Sequence, residues 1–304
     1  GTPADSETTT ETTGTTEQAA KLAADDGDSG DFFGTSVAVS SDGTTALIGA
    51  ANDEDPNGRA AGSAYVFDNS GGAWTQQAKL AANDGASDDQ FGRAVAMSSD
   101  GTTALIGARG DEGPNGDWTG SAYVFENSGG SWTQQAKLAA DDGDGGIDFG
   151  QWVALSNDGT TALIGARRAD GPNGDFAGSS YVFDNSGGSW TRQGKLAVDD
   201  GDSYDRFGTA VALSNDGRTA LIGAKIDEGP NSDKAGSAYV FDNSGGSWSQ
   251  RTKLTADDGE SGDGFGGSVA LSSDGSMALI GARSDKAPNG GQSSPHGAGS
   301  AYVF

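Results

Sequence analysis

The chain has 304 residues and carries 44 Asp and Glu against 18 Lys and Arg, a formal net charge of −26 that repels duplex nucleic acid and anionic membrane surfaces. Cysteine is absent, which excludes disulfides, thiolate metal sites and a cysteine nucleophile. No apolar run reaches the roughly 18 residues of a membrane-spanning helix, so direct membrane insertion is not expected. The 52 Gly and an apolar fraction of 34% suit many short strands joined by tight turns. The first residue is Gly1 rather than Met, which suggests that any signal peptide has been removed or is not part of this sequence.

The opening text GTPADSETTTETTGTTEQAAKL is rich in Thr and acids, and residues 1–14 read as a stalk-like tail outside the packed domain. From residue 15 the chain is a repeat. Aligned on Lys21-Leu22, the segment from Thr16 to Leu22 matches the WTQQAKL of later units, with Thr16 in the place of Trp. The period is 58 residues: tryptophans fall at Trp74, Trp132, Trp190 and Trp248, and Phe-Gly pairs begin at Phe33, Phe91, Phe149, Phe207 and Phe265. Ile-Gly-Ala triplets begin at Ile48, Ile106, Ile164, Ile222 and Ile280. Tyr-Val-Phe begins at Tyr65, Tyr123, Tyr181, Tyr239 and Tyr302, the last displaced by the loop GGQSSPHGAG. A period of this length identifies one repeat domain over residues 15–304.

Each unit predicts four strands in chain order. Strand A (FGxxVALS) alternates, B (TTALIGA) is an apolar run, C (GSAYVF) separates Tyr and Phe from Val, and D (SWTQQAKL) alternates again. Asp-Gly at Asp42, Asp100, Asp158, Asp216 and Asp274 predicts tight A–B hairpins with positive φ at both turn positions. Repeated four-stranded antiparallel sheets are the blades of an all-β, five-bladed β-propeller. Because the chain starts on a D strand and stops on a C strand, the N-terminal strand is expected to pair with the C-terminal blade and close the ring.

The Phe-Gly and Gly-Ala pairs resemble the FG-GAP repeat of integrin α-subunit propellers and of bacterial and archaeal surface proteins, over about Thr16 to Phe304. Two departures stand out. Ala51, Arg109, Arg167, Lys225 and Arg283 replace the Pro of Gly-Ala-Pro, and the family's acid-rich calcium loop between the first two strands has shrunk to Ser/Asn-Asp-Gly. The family's metal sites are therefore not carried over. The resemblance implies an extracellular protein that binds partners through the face carrying the B–C and D–A loops.

Several residues on those loops are candidates. Asp25, Asp26, Asp28 and Asp31, with Asp141, Asp142, Asp144 and Asp148, cluster hard oxygens beside Gly, so Ca2+ is the candidate cofactor and no cofactor is certain. The spacing is not that of an EF-hand, and solvated acids in Asx turns are the favoured account. The B–C cations Arg109, Arg167, Lys225 and Arg283 offer an anionic ligand site, although salt bridges to neighbouring aspartates are preferred. Arg109-Gly110-Asp111 spells an integrin-recognised tripeptide by coincidence. Trp118, Phe176 and Tyr204 break the repeat in the loops, where rings stack on sugars, anchor a partner or fill between blades, and Trp152 breaks it in an A strand facing the channel. Arg109, Trp118, Arg167, Phe176, Tyr204 and His296 make up the candidate binding face.

Catalysis has little support. His296 is the only histidine and lies in the inserted loop, and the acids belong to the repeat rather than to one broken blade. The expectation is a non-enzymatic, extracellular structural or adhesive cell-surface protein. Its acidic surface points to a halophilic prokaryote, with a calcium-rich setting as the competing account. The strand-exchange segment Thr16, Glu17, Gln18, Ala19, Ala20, Lys21 and Leu22 would close its own ring or a neighbour's, the latter building a filament. The alternative is a monomeric lectin-like module that binds glycan or protein through the loop face. Partners are then further copies, or other cell-surface proteins and glycans.

Overall fold

The computed structural model describes residues 18–54, 57–113, 118–142, 145–172, 174–185, 187–228, 234–286 and 297–304. The tail at residues 1–14, together with Thr16, Glu17, Asp144 and His296, lies outside the described residues. Among the described residues the structure is all strand and turn, with no helix long and apolar enough to cross a membrane.

Nineteen strands form five antiparallel sheets, each wound in sequence order. The first holds β1 (Phe33–Val39), β2 (Thr45–Ala50), β3 (Ser63–Asp68) and β4 (Thr75–Leu80). The second holds β5 (Phe91–Met97), β6 (Thr103–Ala108), β7 (Ser121–Ser128) and β8 (Ser131–Leu138), and the third β9 (Trp152–Leu155), β10 (Thr161–Ala166), β11 (Ser179–Asp184) and β12 (Thr191–Leu196). The fourth holds β13 (Phe207–Leu213), β14 (Thr219–Ala224), β15 (Ser237–Ser244) and β16 (Ser247–Leu254). The last has only β17 (Phe265–Leu271), β18 (Ala278–Ala282) and β19 (Ser300–Val303).

The apolar B strands lie second in each sheet, and those of the inner sheets are covered on both faces, so they read as continuous Ala-Leu-Ile runs, whereas Leu279 of β18 is exposed. The core lies between sheets. Leu47 and Val66 of the first sheet meet Phe91, Ile106, Tyr123 and Phe125 of the second, with the Phe91 ring centroid 5.5 Å from that of Tyr123. A Cβ on Gly49 would come within 2.0 Å of the Gly92 carbonyl oxygen, and one on Gly107 within 1.9 Å of that of Gly150. The Ile-Gly-Ala and Phe-Gly pairs are thus one contact, backbone against backbone between neighbouring blades. A strands pack on A strands from β1 through β5, β9 and β13 to β17, which places them innermost.

The A–B hairpins differ from the expected turn. Only the glycine has positive φ (71° at Gly43), and Asp42 keeps an ordinary backbone. Its Oδ1 accepts hydrogen bonds from Ser40 Oγ (2.6 Å) and Thr44 N (2.9 Å), so the aspartate acts through its side chain. Successive hairpins are also linked, Ser41 N to Ser99 O, Ser99 N to Asn157 O, Asn157 N to Asn215 O and Asn215 N to Ser273 O.

That series does not return to its start: no bond joins Ser273 to Ser41. Val37 of β1 is 67% exposed where its counterpart Val95 is 7%, and Val303 of β19 is 64% exposed where Val66 is 2%. The five sheets form an open arc. Among the described residues the expected pairing of the N-terminal segment with the last sheet is not seen: residues 18–24 carry no strand and β19 pairs with β18. Leu22 and Ala24 pack on Ile48, Tyr65 and Phe67 of the first sheet, as Leu80 and Ala82 pack on the second. The apolar end of a D strand thus covers the blade that follows it in sequence, and an open arc does not bring β19 alongside it.

Candidate functional site

The loop face is built where B–C and D–A connections meet across consecutive blades. Phe91 N donates to Ala61 O and Phe149 N to Thr119 O, both across that junction. Beneath it lies a repeated polar node. The Tyr65 hydroxyl donates to Asp53 Oδ2 at 2.9 Å, and Lys79 Nζ lies 2.8 Å from both Asp53 and Asp26. The same quartet recurs as Tyr123, Asp111, Asp84 and Lys137, and as Tyr239, Asp227, Asp200 and Lys253. The hydrogen bond from Lys79 holds Asp26 below the usual carboxylate range. Burial, then the Asp111 charge, pushes the Tyr123 hydroxyl up, so it stays neutral and donates. The Asp53 column escaped the sequence reading, although its 58-residue recurrence as Asp111, Asp227 and Asp285, with Ala169 in the third unit, marks it.

The candidate Ca2+ residues do not converge. Asp25 is exposed, Asp26 belongs to the Tyr65 node, and Asp31 accepts the Asp28 backbone N–H at 2.6 Å. Asp141 and Asp142 are engaged by Arg192, and Asp148 lies 2.9 Å from Arg167 and 3.3 Å from Arg168. Among the described residues no group of three acids is placed to hold a metal ion. These carboxylates organise loops and neutralise cations.

The B–C cations divide. Arg167 meets Asp148, whereas Arg109 donates from Nε to Gln90 Oε1 (2.7 Å) and from a terminal nitrogen to Gln151 Oε1 (3.1 Å). Among the described residues Lys225 and Arg283 meet no carboxylate. Asp111 of the Arg-Gly-Asp text is buried in its Tyr123 node, so that tripeptide is not displayed. Trp152 lies under the Arg167 guanidinium, 5.2 Å from its ring centroid.

The loop aromatics are outward. Trp118 is 59% exposed, and Phe176 and Tyr204, both exposed, pair across neighbouring loops with centroids 5.5 Å apart at 30°. Trp118 (φ 68°), Phe176 (55°) and Tyr204 (77°) all have left-handed backbone, which bulky side chains disfavour. The column of Trp118 and Phe176 is left-handed in all four described units, at Ala60 and Lys234 as well, so the backbone is set by the repeat and the ring added to it. Neither local preference nor core packing accounts for these rings. A cleft of about 510 Å³ beside Trp118 is lined by Gln90, Arg109, Asp148 and Arg168.

Five tandem sheets with A strands innermost and one continuous loop face define a β-propeller built from repeats. The FG-GAP repeat model matches residues 16–67, 74–125, 132–183, 190–241 and 248–304, and the chain belongs to the FG-GAP repeat family. Among solved structures, hydrazine synthase of Kuenenia stuttgartiensis superposes with a TM-score of 0.53 at 17% identity, a likeness of fold alone. The match covers 82% of this chain and spans 61% of that one. No curated protein matches the sequence.

Proposed function

We propose that this is a non-enzymatic structural and adhesive module of the cell surface, whose open arc is completed in trans by a strand from the next copy. The observation that carries this reading is that, among the described residues, the last sheet has three strands and β19 has a partner on one side alone, at the end of an arc whose terminal faces expose Val37 and Val303. An unpaired edge is a template for strand addition, and exposed apolar end faces favour a second body. Residues Thr16 to Leu22 carry the D-strand text that the last sheet lacks. The dispersed acids behind the charge of −26 suit an extracellular setting of high salt.

Electron microscopy of the intact chain in high salt, beside a chain lacking Gly1 to Leu22, tests this. Head-to-tail filaments that vanish on truncation are the expected result, and separate particles from the intact chain would refute it. A second reading, binding of a glycan or protein through the loop face, is favoured by the exposed Trp118 and the Phe176–Tyr204 pair. Loss of a binding partner in Trp118→Ala would support it.

A further inference from the structure

We propose that the inner mouth of the loop face, framed by Arg93, Arg109, Arg167, Arg206, Lys225 and Arg283, binds a short anionic saccharide bearing sulfate esters or carboxylates. The inference deepens the loop-face reading and rests on it. Its starting point is where an acidic protein keeps its few cations. Lys79, Lys137 and Lys253 neutralise buried aspartates, and Arg59 and Arg192 pair with loop acids. The six mouth residues are a third of the 18 Lys and Arg in the sequence. Of them, among the described residues, only Arg167 is paired with a carboxylate.

Phe91, Phe207 and Phe265 of the innermost strands pair with Ala108, Ala224 and Ala282, which sets Arg93, Arg109, Arg206, Lys225 and Arg283 at the loop-face ends of adjacent strands. Burial, then Arg283, Arg206 and Arg167, pulls Lys225 below the usual lysine range, and burial with Arg109 and Arg167 does the same to Arg93. Like charges gathered this way oppose folding unless an anion joins them. Arg109 is held in place by groups that leave its charge uncompensated, while Arg167 is already met by Asp148. Two glutamine oxygens fix the Arg109 guanidinium, and the Trp152 ring supports that of Arg167. Fixed guanidinium forks match carboxylate and sulfate geometry.

The spread of cations over four repeats calls for several anionic groups rather than one. The exposed Trp118 face, opening on the cleft with Arg109 and Arg168, supplies the stacking surface that a sugar ring uses. Length is limited by the acidic remainder of the surface, which repels a long polyanion and leaves a chain end or an oligosaccharide as the fitting ligand.

The test is calorimetric titration of the full chain with a sulfated tetrasaccharide, a tetragalacturonate, a neutral tetraglucoside and inorganic sulfate. Three proteins are compared: the natural chain, Trp118→Ala, and a triple variant with Arg93→Gln, Lys225→Gln and Arg283→Gln. Binding of at least one acidic tetrasaccharide in preference to the neutral one is expected, weakened about tenfold or more in the triple variant. Trp118→Ala should weaken that saccharide and leave inorganic sulfate unchanged. The triple variant removes mutual repulsion and should melt no lower than the natural chain, so lost binding reports the site. Equal affinity for the neutral sugar, an unaffected triple variant, or binding of inorganic sulfate alone would overturn the proposal. Neutral binding that Trp118→Ala abolishes would overturn it while leaving the loop-face reading intact, and no binding of any sugar would remove saccharides from both.

Discussion

Ala169 shows how much one side chain decides. It stands where other units have Asp53, Asp111, Asp227 and Asp285, and the buried Tyr181 hydroxyl of that unit makes no hydrogen bond of ordinary length, with the Asp142 carboxylate as its neighbour. Arg192, in a column otherwise Gln, bridges Asp141 and Asp142 nearby. Ala169→Asp should restore the quartet with Tyr181 and Lys195 and add about 1 kcal/mol of stability, whereas Asp227→Ala, which leaves Tyr239 and Lys253 with Asp200 alone, should cost about 1–3 kcal/mol. Urea denaturation of the two variants measures both signs. Asp89 and Asp205 behave differently. Burial pushes each from 3.8 up to about 6, even though each accepts a backbone N–H. A carboxylate raised on folding holds its proton better in the native state, so its contribution favours folding at low pH and is lost as pH rises from about 4 to about 6. Asp89→Asn and Asp205→Asn together should flatten that part of the stability profile, read from melting temperatures across the window.

At the scale of the element, the close approach of blades explains both signature pairs and gives a probe of closure. Gly107→Ala would drive a Cβ into the Gly150 carbonyl, backbone that cannot turn away, and should cost more than about 3 kcal/mol. The counterpart Gly281 meets only the Ser268 hydroxyl, which can rotate, and no backbone lies within 4 Å of a Cβ on Gly34. Gly281→Ala should therefore leave the melting temperature of the single chain nearly unchanged. A melting point lowered as far as in Gly107→Ala would mean that the last blade closes on the first within one chain. The strands themselves were legible, because two-residue alternation and the Ile-Gly-Ala runs are local signals. The hairpin was read correctly as a turn but in the wrong form, since the Asp42 side chain, not its φ, makes the connection.

Across the whole molecule, a net charge of −26 on 304 residues opposes compaction when counterions are scarce. Melting temperature should climb as salt rises from about 0.05 M to about 1 M, where the screening length falls to roughly 3 Å. A flat or falling curve would count against a high-salt habitat. The open arc is the other property of this scale. Five units of text suggest a ring, but whether a ring closes depends on the rotation between blades, and that angle is set by packing of Phe91 and its equivalents against the preceding sheet. Nothing local encodes it.

The sequence by itself determined the repeat, the strand order, the family and the candidate loop face, because a 58-residue period and alternating side chains are written along the chain. Only the tertiary structure decided what the charges do. Tyr65 finds Asp26 39 residues away and Lys79 finds the same carboxylate at 53, so one Asp cannot be told from another until the blades are stacked. The same holds for Arg109, whose partners among the described residues are glutamines, and for Leu22, which packs on the first sheet. Backbone pattern is local and legible in the text, while charge pairing and ring closure are contacts between distant segments, fixed by geometry that exists only once the sheets pack.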